Sequence, residues 1–165
     1  MWRARLELLR RMVVVLGLCL WFGGFTFYTL VVIHTGHRVF ESRVETGFLT
    51  REVTNWLNLI GFLVLLIMLW NVVASRRASP RSLRWALWLS WAVIAGIQVA
   101  LFSLHPTLDR LLDANNHVIL HKAPFISLHR WYMNLSTTQW ATTILYIWCS
   151  LVAWGRADRT DGVDS

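Results

Sequence analysis

"VTNWLNLIGFLVLLIMLWNVVA", residues 53–74, contains no Asp, Glu, Lys or Arg. An α-helix rises about 1.5 Å per residue, so about 20 residues cross a hydrocarbon core of about 30 Å. A run of this length and composition reads as a membrane-spanning helix. A charge at its centre would cost about 2.5–3.5 kcal/mol on insertion scales. Runs 12–33, 84–104 and 131–153 repeat the pattern, with Arg84 only at the very start of its run. The expectation is an all-α polytopic membrane protein. It has four transmembrane helices in an antiparallel bundle within residues 1–155, then a polar C-terminal tail over 156–165.

The first run follows a basic segment, "MWRARLELLRR", as a secretory signal would. It is too long for a signal-peptide core and no Ala-x-Ala-like site follows it, so it reads as an uncleaved anchor. The net charge of +7 is placed unevenly. Arg3, Arg5, Arg10 and Arg11 precede span one, and Arg76, Arg77, Arg81 and Arg84 lie around the second loop. The first and third loops balance their charges. The basic excess puts the N-terminus and loop two in the cytoplasm, and four spans return the C-terminus there. These arginines read as topology determinants that also attract anionic headgroups, not as a nucleic-acid surface. A multi-pass protein of a bacterial inner membrane is the expected setting. Cys19 and Cys149 fall in the inner thirds of their spans and read as small packing residues.

The connections differ in character. "SRRASPRSLR" (75–84) is a tight hairpin link turning at Ser79-Pro80. Loop one offers Phe40, Val44 and Phe48 on one helical face, Ser42 with Glu45 as a capping box, and Gly47 as a break. That pattern fits a short helix on the membrane surface. Loop three, opened by Pro106 and closed by Pro124, is long enough to carry function or to form a plain lid. Trp2, Trp70, Trp85, Trp88 and Trp154 are expected at the inner membrane boundary, Trp56 and Trp131 at the outer one. Ala92, Gly96 and Ala100 form a small-residue stripe suited to close approach of another helix, taken as one from the same chain.

All six histidines fall on the outer side of this topology: His34, His37, His105, His117, His121 and His129. Asn55, Asn58, Gln98 and Asn134 lie in the outer halves of the spans, and amides in a bilayer turn to partners in the bundle interior. Asn55, Asn58, Gln98, His105, His129 and Asn134 are therefore the candidate lining of a ligand pocket. The plainer alternative is that the amides only lock helices together. His34 with His37, and His117 with His121, have spacings that could share a transition metal. His34 with His105 or His129 could offer two axial ligands to haem. No Cys or carboxylate completes a metal site, so the cofactor stays open between none, a metal and haem. Ser127 and Ser136 lack a nucleophile motif, which speaks against a hydrolase.

"WFGGFTFYTLVV" (21–32), "VTNWLNLIGFL" (53–63), "LHPTLDRLL" (104–112) and "FISLHRWYMNLS" (125–136) together resemble the transmembrane protein 205-like family. The resemblance implies small four-span proteins with a His opening the last span and an Asn in its first turns. Those map onto His129 and Asn134. Topology and outward histidines bear a looser resemblance to copper-resistance D-type membrane proteins. Two roles stand at this point. One is a non-enzymatic membrane protein with a ligand- or metal-binding polar outer pocket. The other is an accessory subunit, as a homo-oligomer or within a larger membrane complex. The expected partners are the lipid bilayer and such subunits, not nucleic acid. Of the opening histidine pair, His34 is expected to face the bundle and His37 the solvent.

Overall fold

The computed structural model describes residues 2–40, 43–75, 80–113 and 118–161. The described residues are mostly helical, with short connections and one two-residue ladder. Helix α1 (Trp2–Phe27) runs through a π-turn (Tyr28–Val32) directly into α2 (Ile33–Val39). Helices α3 (Arg43–Ala74), α4 (Arg81–Asp109) and α5 (Lys122–Asp161) follow, with β1 (Leu112–Asp113) and β2 (Val118–Ile119) paired antiparallel between the last two. Three stretches, Arg5–Val39, Glu45–Ala74 and Arg81–Asp109, are long and apolar enough to cross a membrane.

Helices α3, α4 and α5 are each longer than the apolar run they contain. Pro106 does not end α4: it cannot donate to the Phe102 carbonyl, but its own carbonyl still accepts from the Arg110 N–H at 3.1 Å and the helix runs on to Asp109. Pro124 sits in the first turn of α5, where backbone N–H groups have no intrahelical acceptor. Loop one is not a separate surface helix: α3 is continuous from Arg43 and Gly47 does not break it. The capping residue proposed there, Ser42, lies outside the described residues, as do Arg76, Arg77 and Ser79 of loop two. Helix α5 carries the expected tail in helical form to Asp161.

Cross-helix contacts fix the directions. Arg51 meets Asp109, the Asn58 carbonyl meets Gln98, and the Leu65 carbonyl meets Trp91, so α3 and α4 run in opposite directions. Arg11 meets Asp158 and Thr26 meets Trp140, so α1 and α5 are also opposed. Asn58 meets Tyr132 and Asn71 meets Tyr146, so α3 and α5 run parallel across the centre. Among the described residues, one end of the bundle is rich in arginine and the other carries His34, His37, His105, His121 and His129. The larger apolar core gathers Val14, Leu18, Trp21, Val64, Met68, Leu87, Ile94 and Tyr146 toward the arginine end. A smaller one joins Ile97, Leu101, Leu108 and Tyr132 toward the histidine end.

Two packing expectations change. Gly96 has nothing within 4 Å of a Cβ position and Ala92 is exposed, so the small-residue stripe faces outward rather than a helix of the same chain. Trp154 is not a boundary anchor but is 9% exposed, its indole N–H donating to Asn71 Oδ1 at 3.1 Å with the Arg11 guanidinium over its ring. Trp2, Trp56, Trp85 and Trp131 do stay exposed. Neither cysteine forms a disulfide; Cys19 is exposed and Cys149 buried.

Candidate functional site

Toward the histidine end the helices stand apart around a cavity of about 350 Å³. On α1 the face Trp21, Phe25 and Thr29 continues to Ile33 and His37 at an even spacing of four. An α-helix drifts off that spacing because its turn is 3.6 residues. The π-turn at Tyr28–Val32 supplies the extra length, as π-bulges do at functional sites. His37 is exposed, as expected, but it also lines the cavity, which His34 does not; its Nδ1–H donates to the Ile33 carbonyl at 2.7 Å, which leaves Nε2 uncommitted.

Helix α3 contributes Thr50, Arg51, Thr54, Leu57 and Asn58. Its first turns lie close to α2: a Cβ on Gly36 would meet Thr46 Cγ2 at 3.0 Å, so only glycine fits there without displacing that threonine. Tyr28 bridges the same pair of helices through Thr54 Oγ1, 3.2 Å away, and donates weakly to the Thr50 carbonyl at 3.4 Å. Helix α4 adds Leu101, His105, Leu108 and Asp109; α5 adds Phe125, His129, Tyr132, Met133, Ser136 and Gln139.

The polar groups fall into two sets. At the mouth, Arg51 Nε donates to Asp109 Oδ1 at 2.5 Å, and Asp109 Oδ2 lies 3.3 Å from His105 Nδ1. The carboxylate favours the tautomer protonated at Nδ1. At the floor, Asn58 Nδ2 donates to the Tyr132 hydroxyl at 2.8 Å. Gln98 Nε2 donates to the Asn58 carbonyl at 3.2 Å, and Gln139 Nε2 donates to Gln98 Oε1 at 2.9 Å. The walls between are aromatic and aliphatic. A mostly apolar cleft with a few convergent polar groups is the ordinary form of a small-molecule site, of which this is a small example.

The candidate residues scatter differently from expectation. Asn58, His105 and His129 meet at the cavity, His129 stacked on Phe125 with ring centroids 5.8 Å apart. Gln98 is 2% exposed and lies under the floor, held by its two hydrogen bonds. Asn55 is exposed on α3 away from the cavity, and Asn134 lies in a shallow outward groove with Ile126, Arg130 and Trp131. His34 and His121 are exposed and take no part in the lining, which removes His34 from any axial pair. His117 lies outside the described residues. Among the described residues no three His, Cys, Asp or Glu side chains cluster as a metal would need.

Several lining residues escaped the sequence reading. Tyr132, Ser136 and Gln139 begin a buried polar stripe that runs on through Thr143, Tyr146 and Ser150, alternating four and three residues along α5. That spacing is visible in the sequence and marks an inward face. Arg51 and Asp109 had looked like balanced loop charges, and nothing local ties two residues 58 apart. No protein-family model matches the chain, and no curated protein or solved structure does either.

Proposed function

We propose that this chain is a four-span membrane protein whose outer-half cavity binds a small ligand, without catalysis. The arginine end faces the cytoplasm, with both termini, and the histidine end faces outward. The fourth span is α5, which carries no charged residue between Arg130 and Arg156. Its hydropathy is lowered by threonines, but these suit a bilayer. Thr137, Thr138 and Thr142 return their hydroxyls to the carbonyls of Met133, Asn134 and Thr138 at 2.8–2.9 Å. Ile144, Leu145, Trp148 and Leu151 on the same helix are exposed, as lipid-facing residues are.

One observation carries the ligand-binding part: residues of all four long helices, several of them polar, line one cavity. A bundle held together only by helix-locking hydrogen bonds has no need of that space. Native mass spectrometry of the protein released from mild detergent tests it. The expected result is a stoichiometric adduct that disappears in Ser136→Phe, which fills the cavity from α5. A bare wild-type protein, with Ser136→Phe raising thermal stability, would favour simple packing.

A further inference from the structure

We infer that the ligand is a neutral, ring-headed amphiphile, a long-chain phenol or quinol, and that it enters sideways from the outer leaflet between α1 and α5. The inference rests on the ligand-binding reading above and adds route and class.

The route follows from where α1 and α5 touch. Phe22 stacks on Trp140, with centroids 5.1 Å apart and planes 13° from parallel, and Trp140 Nε1 donates to Thr26 Oγ1 at 3.0 Å. Beyond that level, toward the histidine end, the described residues of the two helices share no hydrogen bond, ion pair or ring contact. Thr29, Ile33 and His37 on one side and His129, Met133 and Ser136 on the other line the same cavity instead. The gap lies where the two spans meet the outer leaflet, so a membrane-dissolved molecule reaches the cavity without crossing water.

The class follows from charge and hydrogen-bond inventory. Arg51 and Asp109 are the cation and the carboxylate of the lining, and they neutralise each other. An anionic head would have to compete with Asp109 for Arg51, and a cationic head with Arg51 for Asp109. A neutral head does neither. The Tyr132 hydroxyl accepts from Asn58, so its own proton is available to a ligand oxygen. Among the described residues nothing donates to Oδ1 of the same Asn58 amide, so it is available to accept. A hydroxyl on a ring accepts from the first and donates to the second. The aromatic walls, Trp21 and Phe25 among them, suit a planar ring, which stacks offset or edge-on.

The test uses the full chain in micelles, titrated calorimetrically with 4-dodecylphenol, its methyl ether and dodecyl phosphate. The phenol is expected to bind saturably at one site. The ether, which cannot donate, should bind about tenfold more weakly, the worth of one hydrogen bond. Ser136→Phe should weaken the phenol by at least about tenfold, and the gentler Tyr132→Phe by about three- to tenfold. Equal binding of phenol and ether overturns the hydroxyl-headed class. Tighter binding of dodecyl phosphate, still lost in Ser136→Phe, overturns neutrality but leaves the cavity a ligand site. Binding of the phenol unchanged in both variants places it elsewhere and overturns the route. Saturation by none of the three, together with a bare protein in mass spectrometry, overturns the ligand-binding reading as well.

Discussion

The two halves of the bundle use the same kinds of residue to opposite ends. Toward the arginine end, Asn71 is fully buried; it donates to the Tyr146 hydroxyl at 3.0 Å and to Ser150 Oγ at 3.2 Å, and accepts from Trp154. The Tyr146 hydroxyl in turn donates to the Met68 carbonyl at 2.9 Å. Each of these contacts joins α3 to α5, and apolar side chains fill the space around them. Toward the histidine end, Asn58 and Tyr132 make a single bond of the same type at the edge of an open cavity. An amide is thus a lock where its neighbours use up its hydrogen bonds, and part of a site where they leave some over.

Replacing each asparagine by leucine should break this comparison most sharply. Asn71→Leu keeps the volume but strands the Trp154 indole N–H and removes the donors to Tyr146 and Ser150. A buried polar group left without a partner costs about 1–3 kcal/mol. The expected loss is about 3 kcal/mol, read by unfolding in mixed micelles. Asn58→Leu removes one donor to a hydroxyl that already faces the cavity. Interhelical hydrogen bonds in membranes average about 0.6 kcal/mol, so its cost should stay under about 1 kcal/mol while ligand binding weakens. Equal destabilisation by both would erase the distinction between lock and site.

The sequence made three membrane-length apolar helices legible because hydropathy and charge are local properties, readable one run at a time. It also made Asn58, His105 and His129 legible, since polar residues in a bilayer point inward. His37 was hidden because its direction depends on the π-turn at Tyr28–Val32, and a small widening of one helical turn has no local signature. Arg51 and Asp109 were hidden because a long-range pair is set by the packing of α3 on α4. The stripe from Tyr132 to Ser150 was legible but overlooked. Its polar members are spread through an otherwise apolar run, so the run reads as a span before it reads as an inward polar face.

Glycines sharpen the same contrast at a smaller scale. Gly61 lies between the two halves, where a Cβ would stand 2.6 Å from Trp21 Nε1 and 3.0 Å from Gln98 Oε1. Gly61→Ala must push Trp21, which is 5% exposed, toward the cavity it lines. Overpacking of this kind costs about 1–3 kcal/mol, and the shifted indole should also reduce ligand capacity. Gly96→Ala meets open space and should be neutral or gain up to about 0.5–1 kcal/mol from helix propensity. Parallel thermal unfolding of the two variants checks this. A stabilising Gly61→Ala would show that the seam between the halves has slack.

The smallest effect belongs to the arginine end, where the ring of helices closes between α1 and α5. Arg11 donates to Asp158 at 3.0 Å, and this contact holds the exposed Asp158 carboxyl below the usual carboxylate range. A carboxyl whose folded pKa is depressed contributes stability above its unfolded value of about 3.9, and loses it as pH falls through the folded value. The contribution of this pair should therefore be present near neutral pH and fade below about pH 4. Asp158→Asn should lower the unfolding temperature slightly near neutral pH, and wild type and variant should converge in acid. Solvent keeps the difference small, because exposed ion pairs contribute little. If the variant instead opened α1 from α5 and admitted ligand from the arginine end, the Phe22–Trp140 stack would not be the floor of the lateral entrance.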